Sequence, residues 1–380
     1  MSDTPDQLRR RMVDELVADG VLTDAWREHF LAVPRHEFIP DLIWRDDLDG
    51  PNYLVPMRRA DDDEWLWLAY QDSHVVIQVD DGKPAGPGLA GRLITSSASM
   101  PSVVAIMLHH LHIEPGMRVL EVGTGTGYNA ALLAARLGAA NVTTIEIDPE
   151  IAQHAKARLA TTGFAGVDVV TGDGSHGHAP KAPYDRVIST AACHRVPYGW
   201  VAQTQPGGLV LTPWRSDFYH SALLSLAVNS DGTAQGRIVD RVAFMDLRDQ
   251  RVPRVSFDQL PTDAPATETT TSLHPHDIAG DHDAATAIGI RVPHCRYLYQ
   301  PPGDDRPEGV LWLIDPWSGS WAALHHDPEV DAESYRVRFH GPRNVLAEIQ
   351  AAHDWWVSAG RPAADQWVFT ITPHGQHIEL

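Results

Sequence analysis

The stretch "LEVGTGTGYNAALLAA", residues 120–135, decides the fold. An apolar run, "MRVLEVG" (117–123), reads as a buried strand and enters a turn with glycines at 123, 125 and 127. A helical run, 128–138, leaves it. Strand, glycine turn and helix in this order make a ligand cradle, because backbone N–H groups at the helix start face outward. The spacing is G-x-G-x-G. A dinucleotide fingerprint needs its third glycine at position 128, which is Tyr128. No G-K-[ST] follows, so a Walker-type phosphate loop is excluded. Glu121, two positions before the first glycine, would repel a pyrophosphate. It suits a ligand with cationic groups, and the ammonium and sulfonium of S-adenosyl-L-methionine fit.

Working outward, "NVTTIEI" (141–147), "VDVVTGD" (167–173) and "YDRVIST" (184–190) read as further strands. A helix (149–162) lies between the first two, and "GGLVLTPW" (207–214) and "SALLSLAV" (221–228) follow. This alternation predicts an α/β protein with a doubly wound, mostly parallel, Rossmann-like sheet. Glu146 ends the second strand, where a carboxylate can accept both ribose hydroxyls. Asp173 ends the third and is placed to accept from an adenine amino group, with Gly174 allowing close backbone approach. The expected cofactor set is Ser97, Glu121, Gly123, Thr124, Gly125, Thr126, Gly127, Tyr128, Asn129, Glu146, Ile147, Asp173 and Gly174.

Upstream, residues 6–31 read as two short helices, with Asp6 as N-cap of the first. Arg9–Arg11 reads as a solvated face, with Glu15 four residues beyond Arg11. Residues 41–93 look irregular apart from "HVVIQV" (74–79). In "ITSSASMPSVVAIMLHHL" (94–111), Thr95, Ser96, Ser97 and Ser99 crowd the mouth of a helix expected over 102–112. Helix capping explains such a cluster. Downstream, 252–285 is Pro/Thr/Asp-rich and reads as a linker. A smaller α/β domain follows over 286–380, with strands at 309–315, 335–339 and 366–371. Its helix, 342–359, has Leu346, Ile349, His353 and Trp356 on one face. The expected division is 1–93, 94–251, 252–285 and 286–380.

Composition narrows the class. The chain has 380 residues, 43% of them hydrophobic, so it has material for a sizeable core. Lys and Arg number 30 against 50 Asp and Glu, a net charge of −20, which argues against a nucleic-acid partner. No apolar run is long enough to span a membrane, and the charged N-terminus shows no signal peptide. The two cysteines, Cys193 and Cys295, suit a reducing cytoplasm. The 21 histidines include His109, His110, His112, His176 and His178, but form no metal-ligand motif, so no metal is expected. Trp312, Trp317, Trp321, Trp355, Trp356 and Trp367 read as core, with a peptide-docking surface as the alternative.

"VPRHEFIP" (33–40), "SASMP" (97–101), the glycine turn, "GDGSHG" (172–177), "YDRVISTAA" with a following "VP", and "QPGG" (205–208) occur in this order. In that order they resemble the protein-L-isoaspartate O-methyltransferase family over roughly residues 7 to 250. The resemblance implies a class I methyltransferase fold and transfer of methyl to a carboxylate of an Asp or isoAsp residue in a peptide. S-adenosyl-L-homocysteine would be the by-product. It also implies a catalytic or positioning role for Ser99. The chemistry asks for no general base, since a carboxylate is already ionised at pH 7. The C-terminal part, with "LWLIDPWSGSWA" and "FHGPRNVLAEI", looks like that of homologues tied to graspetide and lanthipeptide pathways. That implies an aspartate in a macrocyclic, ribosomally made peptide as acceptor, its ester collapsing to aspartimide and then isoaspartate. Repair of isoaspartyl damage is the alternative. A nucleic-acid methyltransferase is disfavoured, because "STAACH" (189–194) stands where an Asn/Asp-Pro-Pro-aromatic run belongs. A silent binding module is disfavoured by the intact Glu121, Glu146 and Asp173.

Overall fold

The computed structural model describes residues 3–46, 54–59, 63–252, 265–303, 307–327 and 333–380. They form two compact units. The first holds Met1–Pro213, Leu223–Leu247 and Thr370–Gln376, and the second holds Trp214–Ala222, Arg248–Phe369 and His377–Leu380.

The first unit opens with α1 (Pro5–Ala18) and α2 (Asp24–Ala32). The cap of α1 is Thr4, not Asp6: Thr4 Oγ1 accepts from Gln7 N–H at 3.3 Å, and Gln7 Oε1 accepts from Thr4 N–H at 2.8 Å. Pro5 at the first helical position fixes that start. Asp6 lies inside the first turn and pairs with Arg9 at 2.8 Å. Arg11 pairs with Asp3 at 2.7 Å and not with Glu15.

Residues 41–93, expected to be irregular apart from one strand, contain β1 (Leu42–Asp46), β2 (Leu54–Arg58) and α3 (Asp63–Ala69) besides that strand, β3 (Val75–Val79), and β4 (Ile94–Ala98) follows. The four strands form a sheet in the order β2-β1-β3-β4, antiparallel throughout. Apart from β3, its strands hide from periodicity. Each is five residues long, Pro56 sits in an edge strand, and the β3–β4 register shifts around Gln78.

The main sheet comes next, interleaved with helices. Its elements are α4 (Pro101–His110), β5 (Val119–Val122), α5 (Tyr128–Leu137), β6 (Val142–Glu146), α6 (Pro149–Thr161), β7 (Asp168–Thr171), β8 (Tyr184–Ser189), α7 (Tyr198–Ala202), β9 (Thr204–Trp214), β10 (Ala222–Val228) and β11 (Ala234–Asp240). Strands β9-β8-β5-β6-β7 are parallel neighbours in that order. The order in which strands are added to the sheet therefore reverses between β5 and β8. In an open parallel sheet this switch point, outside the carboxyl ends of the strands, is where ligands bind. Strand β5 and helix α5 are almost wholly buried, and Val119, Leu132, Leu133 and Phe30 share one core. Each such side chain contributes about 1.5–3 kcal/mol relative to exposure.

The second unit carries β12 (Thr267–Thr271), α8 (Pro275–Ala279), α9 (His282–Arg291), β13 (Arg296–Gln300), β14 (Gly309–Asp315), β15 (Ser320–His326), β16 (Tyr335–His340) and α10 (Val345–Ser358). Its sheet runs β12-β16-β15-β14-β13, every pair antiparallel. Of the stretch read as a linker, residues 253–264 lie outside the described residues, while 267–271 is a strand and 275–279 a helix. Along α10, Leu346, Ile349 and Trp356 are buried, and His353 lies half-buried against Trp356. Trp312, Trp321, Trp356 and Trp367 are core, whereas Trp317 is 51% exposed. The chain ends in β17 (Val368–Thr372) and β18 (Gly375–Glu379), and its residues Thr370–Gln376 count with the first unit, whose sheet they extend beyond β11. Among the described residues no helix is long and apolar enough to cross a membrane, and no group of three or more His, Cys, Asp or Glu could hold a metal ion.

Candidate active site

Strand β5 delivers the glycine turn to the switch point. Gly123, Gly125 and Gly127 all have left-handed backbones, with φ of 93°, 52° and 86°. Side chains are strained there, which explains the glycines. Thr190, just past β8, ties the turn down. Its N–H donates to Val122 O at 2.8 Å, and its hydroxyl donates to Gly123 O at 2.6 Å. A Cβ on Gly123 would stand 2.6 Å from that hydroxyl oxygen. Thr126 Oγ1 accepts from Tyr128 N–H at 3.3 Å. The Tyr128 ring is buried, with ring contacts to Phe30 and Phe38.

The three strand-end carboxylates have different surroundings. Glu121 is fully buried, and accepts from Asn129 Nδ2 at 2.6 Å and from Thr144 Oγ1 at 2.5 Å. Thr144 in turn bonds Thr124, Oγ1 to Oγ1, at 2.7 Å. Burial pushes the Glu121 carboxyl up to about 7, against these two hydrogen bonds. Glu146 accepts from Gly125 N–H at 2.9 Å and from Asp148 N–H at 3.1 Å, which braces the turn from the second strand. Ile147 beside it is half-buried. Asp173 is the most open of the three, with its side chain 36% exposed. One oxygen accepts from Ser175 N–H at 2.9 Å. At Gly174 a Cβ would come within 2.5 Å of Val122, so the backbone lies flush against the end of β5.

The hydroxyl cluster divides. Thr95 Oγ1 donates to Gln78 Oε1 at 2.9 Å and accepts from Asp81 N–H at 3.1 Å. Gln78 Nε2 donates to Asp148 Oδ2 at 2.9 Å, and the other Asp148 oxygen caps α6. Ser96 and Ser97 lie on β4, and Ser97 O would be 3.6 Å from a Cβ on Gly125. None of these hydroxyls caps α4. Its N-cap is Met100, without a side-chain bond, and Ser102 N–H is taken by Asp72 Oδ1 at 2.8 Å, from 30 residues upstream. The Ser99 hydroxyl makes no hydrogen bond among the described residues, whereas the Ser99 carbonyl accepts from Arg35 at 2.9 Å. A cleft of about 560 Å³ flanks the turn at Gly125 and Thr126, lined also by Trp44, Gln78, Ile151 and His154.

Sequence reasoning therefore missed Arg35, Asp72, Gln78, Thr144, Asp148 and Thr190. Only Asp148 carried a local signal, an Asp before a Pro at a helix start.

The reversed parallel sheet, the left-handed glycine turn and the strand-end carboxylates define a class I S-adenosylmethionine-dependent methyltransferase. The chain belongs to the protein-L-isoaspartate (D-aspartate) O-methyltransferase family, whose model matches residues 61–252. A protein-L-isoaspartate O-methyltransferase of Hyperthermus butylicus is 34% identical over 251 residues, covering 63% of this chain and 88% of its own. A protein-L-isoaspartate O-methyltransferase 2 of a Polaromonas species is 36% identical over 219 residues, covering 58% of this chain and 85% of its own. A solved structure titled protein-L-isoaspartate O-methyltransferase shares the fold with a TM-score of 0.55 at 20% identity, covering 98% of this chain and 99% of that one.

Proposed function

We propose that the chain transfers the methyl group of S-adenosyl-L-methionine to the free carboxylate of an isoaspartyl residue in a peptide. The single observation that carries this is the open hydroxyl of Ser99, held on the β4–α4 connection while the glycine turn abuts the same strand at Ser97. The relatives' names support the isoaspartyl acceptor. The residues fit the donor: left-handed glycines and a flush Gly174 leave room for close backbone approach. In this reading Glu146 would accept from the ribose and Asp173 from the adenine, with Ser97, Thr124, Thr126, Asn129 and Ile147 as further donor-side residues. Bound there, S-adenosyl-L-methionine would supply a methyl group carried on its sulfonium sulfur, and neutral S-adenosyl-L-homocysteine would leave as the thioether. Glu121 acts from behind the turn, orienting Asn129 and supplying negative charge toward the donor's ammonium. Ser99 donates a hydrogen bond to one acceptor oxygen and leaves the other to attack. Alignment alone can supply on the order of 7–11 kcal/mol to such a transfer.

The second reading keeps the chemistry and changes the peptide: a normal aspartate within a macrocycle, its ester closing to aspartimide. What favours it is the second unit, since the family model ends at residue 252. The structure that is similar over the whole length is itself named for isoaspartate, so the second unit is compatible with the first reading as well. Competition between a linear isoaspartyl peptide and a cyclised aspartyl peptide, followed by mass spectrometry, tests both. Faster methylation of the linear peptide supports the first reading. Preferential conversion of the ring to a product lighter by one water supports the second.

A further inference from the structure

Arg35 lies in the "VPRHEFIP" stretch and is fully buried on the first unit. Its guanidinium gathers carbonyls from three stretches of chain. Nη1 donates to Ala69 O at 2.5 Å, and Nη2 donates to Ser73 O at 3.2 Å, Ala98 O at 3.3 Å and Ser99 O at 2.9 Å. Its Nε–H has no acceptor. Among the described residues no carboxylate forms an ion pair with it, and the nearby Asp72 is engaged at the start of α4. Burial lowers the guanidinium to about 10, so it stays charged at neutral pH.

A buried cation whose nearby carboxylate, Asp72, is engaged at the start of α4 rather than paired with it is costly, and carbonyl dipoles offset that only in part. The position of this one has a use. It sits directly behind the main chain that carries the Ser99 hydroxyl, in a protein whose net charge of −20 repels an anionic peptide. We propose that Arg35 is a positioning residue for the acceptor: it fixes the Ala98–Ser99 main chain so that the hydroxyl meets the acceptor, and its charge favours a carboxylate over a neutral group there. This rests on the carboxylate-acceptor reading above. It also gives the site a way to hold the acid and release the ester. Because the charge is buried, salt screens it little, unlike a surface lysine or arginine.

The test compares an isoaspartyl peptide with the same peptide carrying a carboxamide in place of the carboxylate, each titrated into the S-adenosylhomocysteine-loaded protein. The wild type should prefer the acid on the order of tenfold, and the preference should persist from low to high salt. Arg35→Met should erase the preference while leaving S-adenosylmethionine affinity intact. Arg35→Lys should keep most of the preference but lose turnover, because one ammonium cannot hold all four carbonyls. An undiminished preference in Arg35→Met overturns the proposal. So does a wild-type preference that vanishes in high salt, which puts the discriminating charge on the surface. If Arg35→Met does not fold, Arg35→Lys and the salt series decide. Wild-type protein that methylates no carboxylate peptide fails the acceptor reading itself. Turnover with an acid preference independent of Arg35 fails only this inference.

Discussion

The two sides of the site are built differently. On the donor side, Glu121 to Asn129 lie within nine consecutive residues, and Glu146 and Asp173 follow at the next two strand ends. On the acceptor side, Ser99 is held by Arg35 from 64 residues away, and the helix behind it is capped by Asp72 from 30 away. The proposed donor site is thus local in sequence, whereas the proposed acceptor site is assembled by long-range contacts to Arg35 and Asp72. Substitutions on the donor side should act on cofactor affinity, and those on the acceptor side on turnover and stability.

The largest effect expected is on cofactor affinity. Glu146→Ala and Asp173→Ala each remove an acceptor of charge-assisted hydrogen bonds, which should cost roughly 1.5–3 kcal/mol, about ten- to a hundredfold in Kd. Calorimetry with S-adenosylmethionine measures this, and unchanged affinity in both variants would remove them from the donor pocket. Asp173 gives the cleaner result, because Glu146 also braces Gly125 and its loss loosens the turn.

Next comes Ser99→Ala, expected to lower turnover about tenfold with cofactor affinity nearly intact. Its hydroxyl bonds to nothing in the described protein, so the melting temperature should stay put. A fully active variant would erase the functional contrast between Ser99 and its neighbours Thr95 and Ser97.

The legibility of the sequence follows the same divide. The parallel sheet could be read because each buried strand is a continuous apolar run bounded by a helix, and the glycine spacing together with Glu121, Glu146 and Asp173 at strand ends pointed to the class of ligand. Of the four-stranded sheet only β3 could, because the pairing is long-range and the strands are interrupted by Pro56 and by the register shift at Gln78. Arg35 was in view within a quoted motif, yet no local pattern says that a lone arginine will bind four carbonyls. The hydroxyl cluster invited a capping explanation, and only the geometry shows the cap supplied by Asp72. Glu121 was legible as a charge but not as a buried one.

That burial makes a smaller prediction with a definite sign. In the ligand-free protein the Glu121 carboxyl titrates at about 7 instead of 4.5. The folded chain therefore holds a proton that the unfolded chain has lost, and this contribution to stability falls as pH rises from about 4.5 to about 7. Cofactor binding runs the other way. The donor's ammonium is charged throughout that range and favours ionised Glu121. Affinity should drop about fivefold from pH 7 to pH 6, as one linked proton requires. Glu121→Gln should flatten that dependence; a wild-type Kd constant over the interval would mean that Glu121 does not sense the donor.

The smallest effect sharpens the acceptor side. Asp72→Ala removes the acceptor for Ser102 N–H at the start of α4. Losing an N-terminal cap costs about 1 kcal/mol, so Asp72→Ala should lower the melting temperature where Ser99→Ala does not. The start of α4 follows Ser99 directly, so fraying it should also relax the hydroxyl and lower turnover a few-fold. Asp72→Asn retains an oxygen acceptor and should restore both stability and rate. If it restores stability alone, the Asp72 charge also acts on Arg35. Parallel melts and initial rates on Asp72→Ala, Asp72→Asn and Ser99→Ala separate capping from positioning. Loss of stability in Ser99→Ala equal to that in Asp72→Ala would return the serine to the role of a cap.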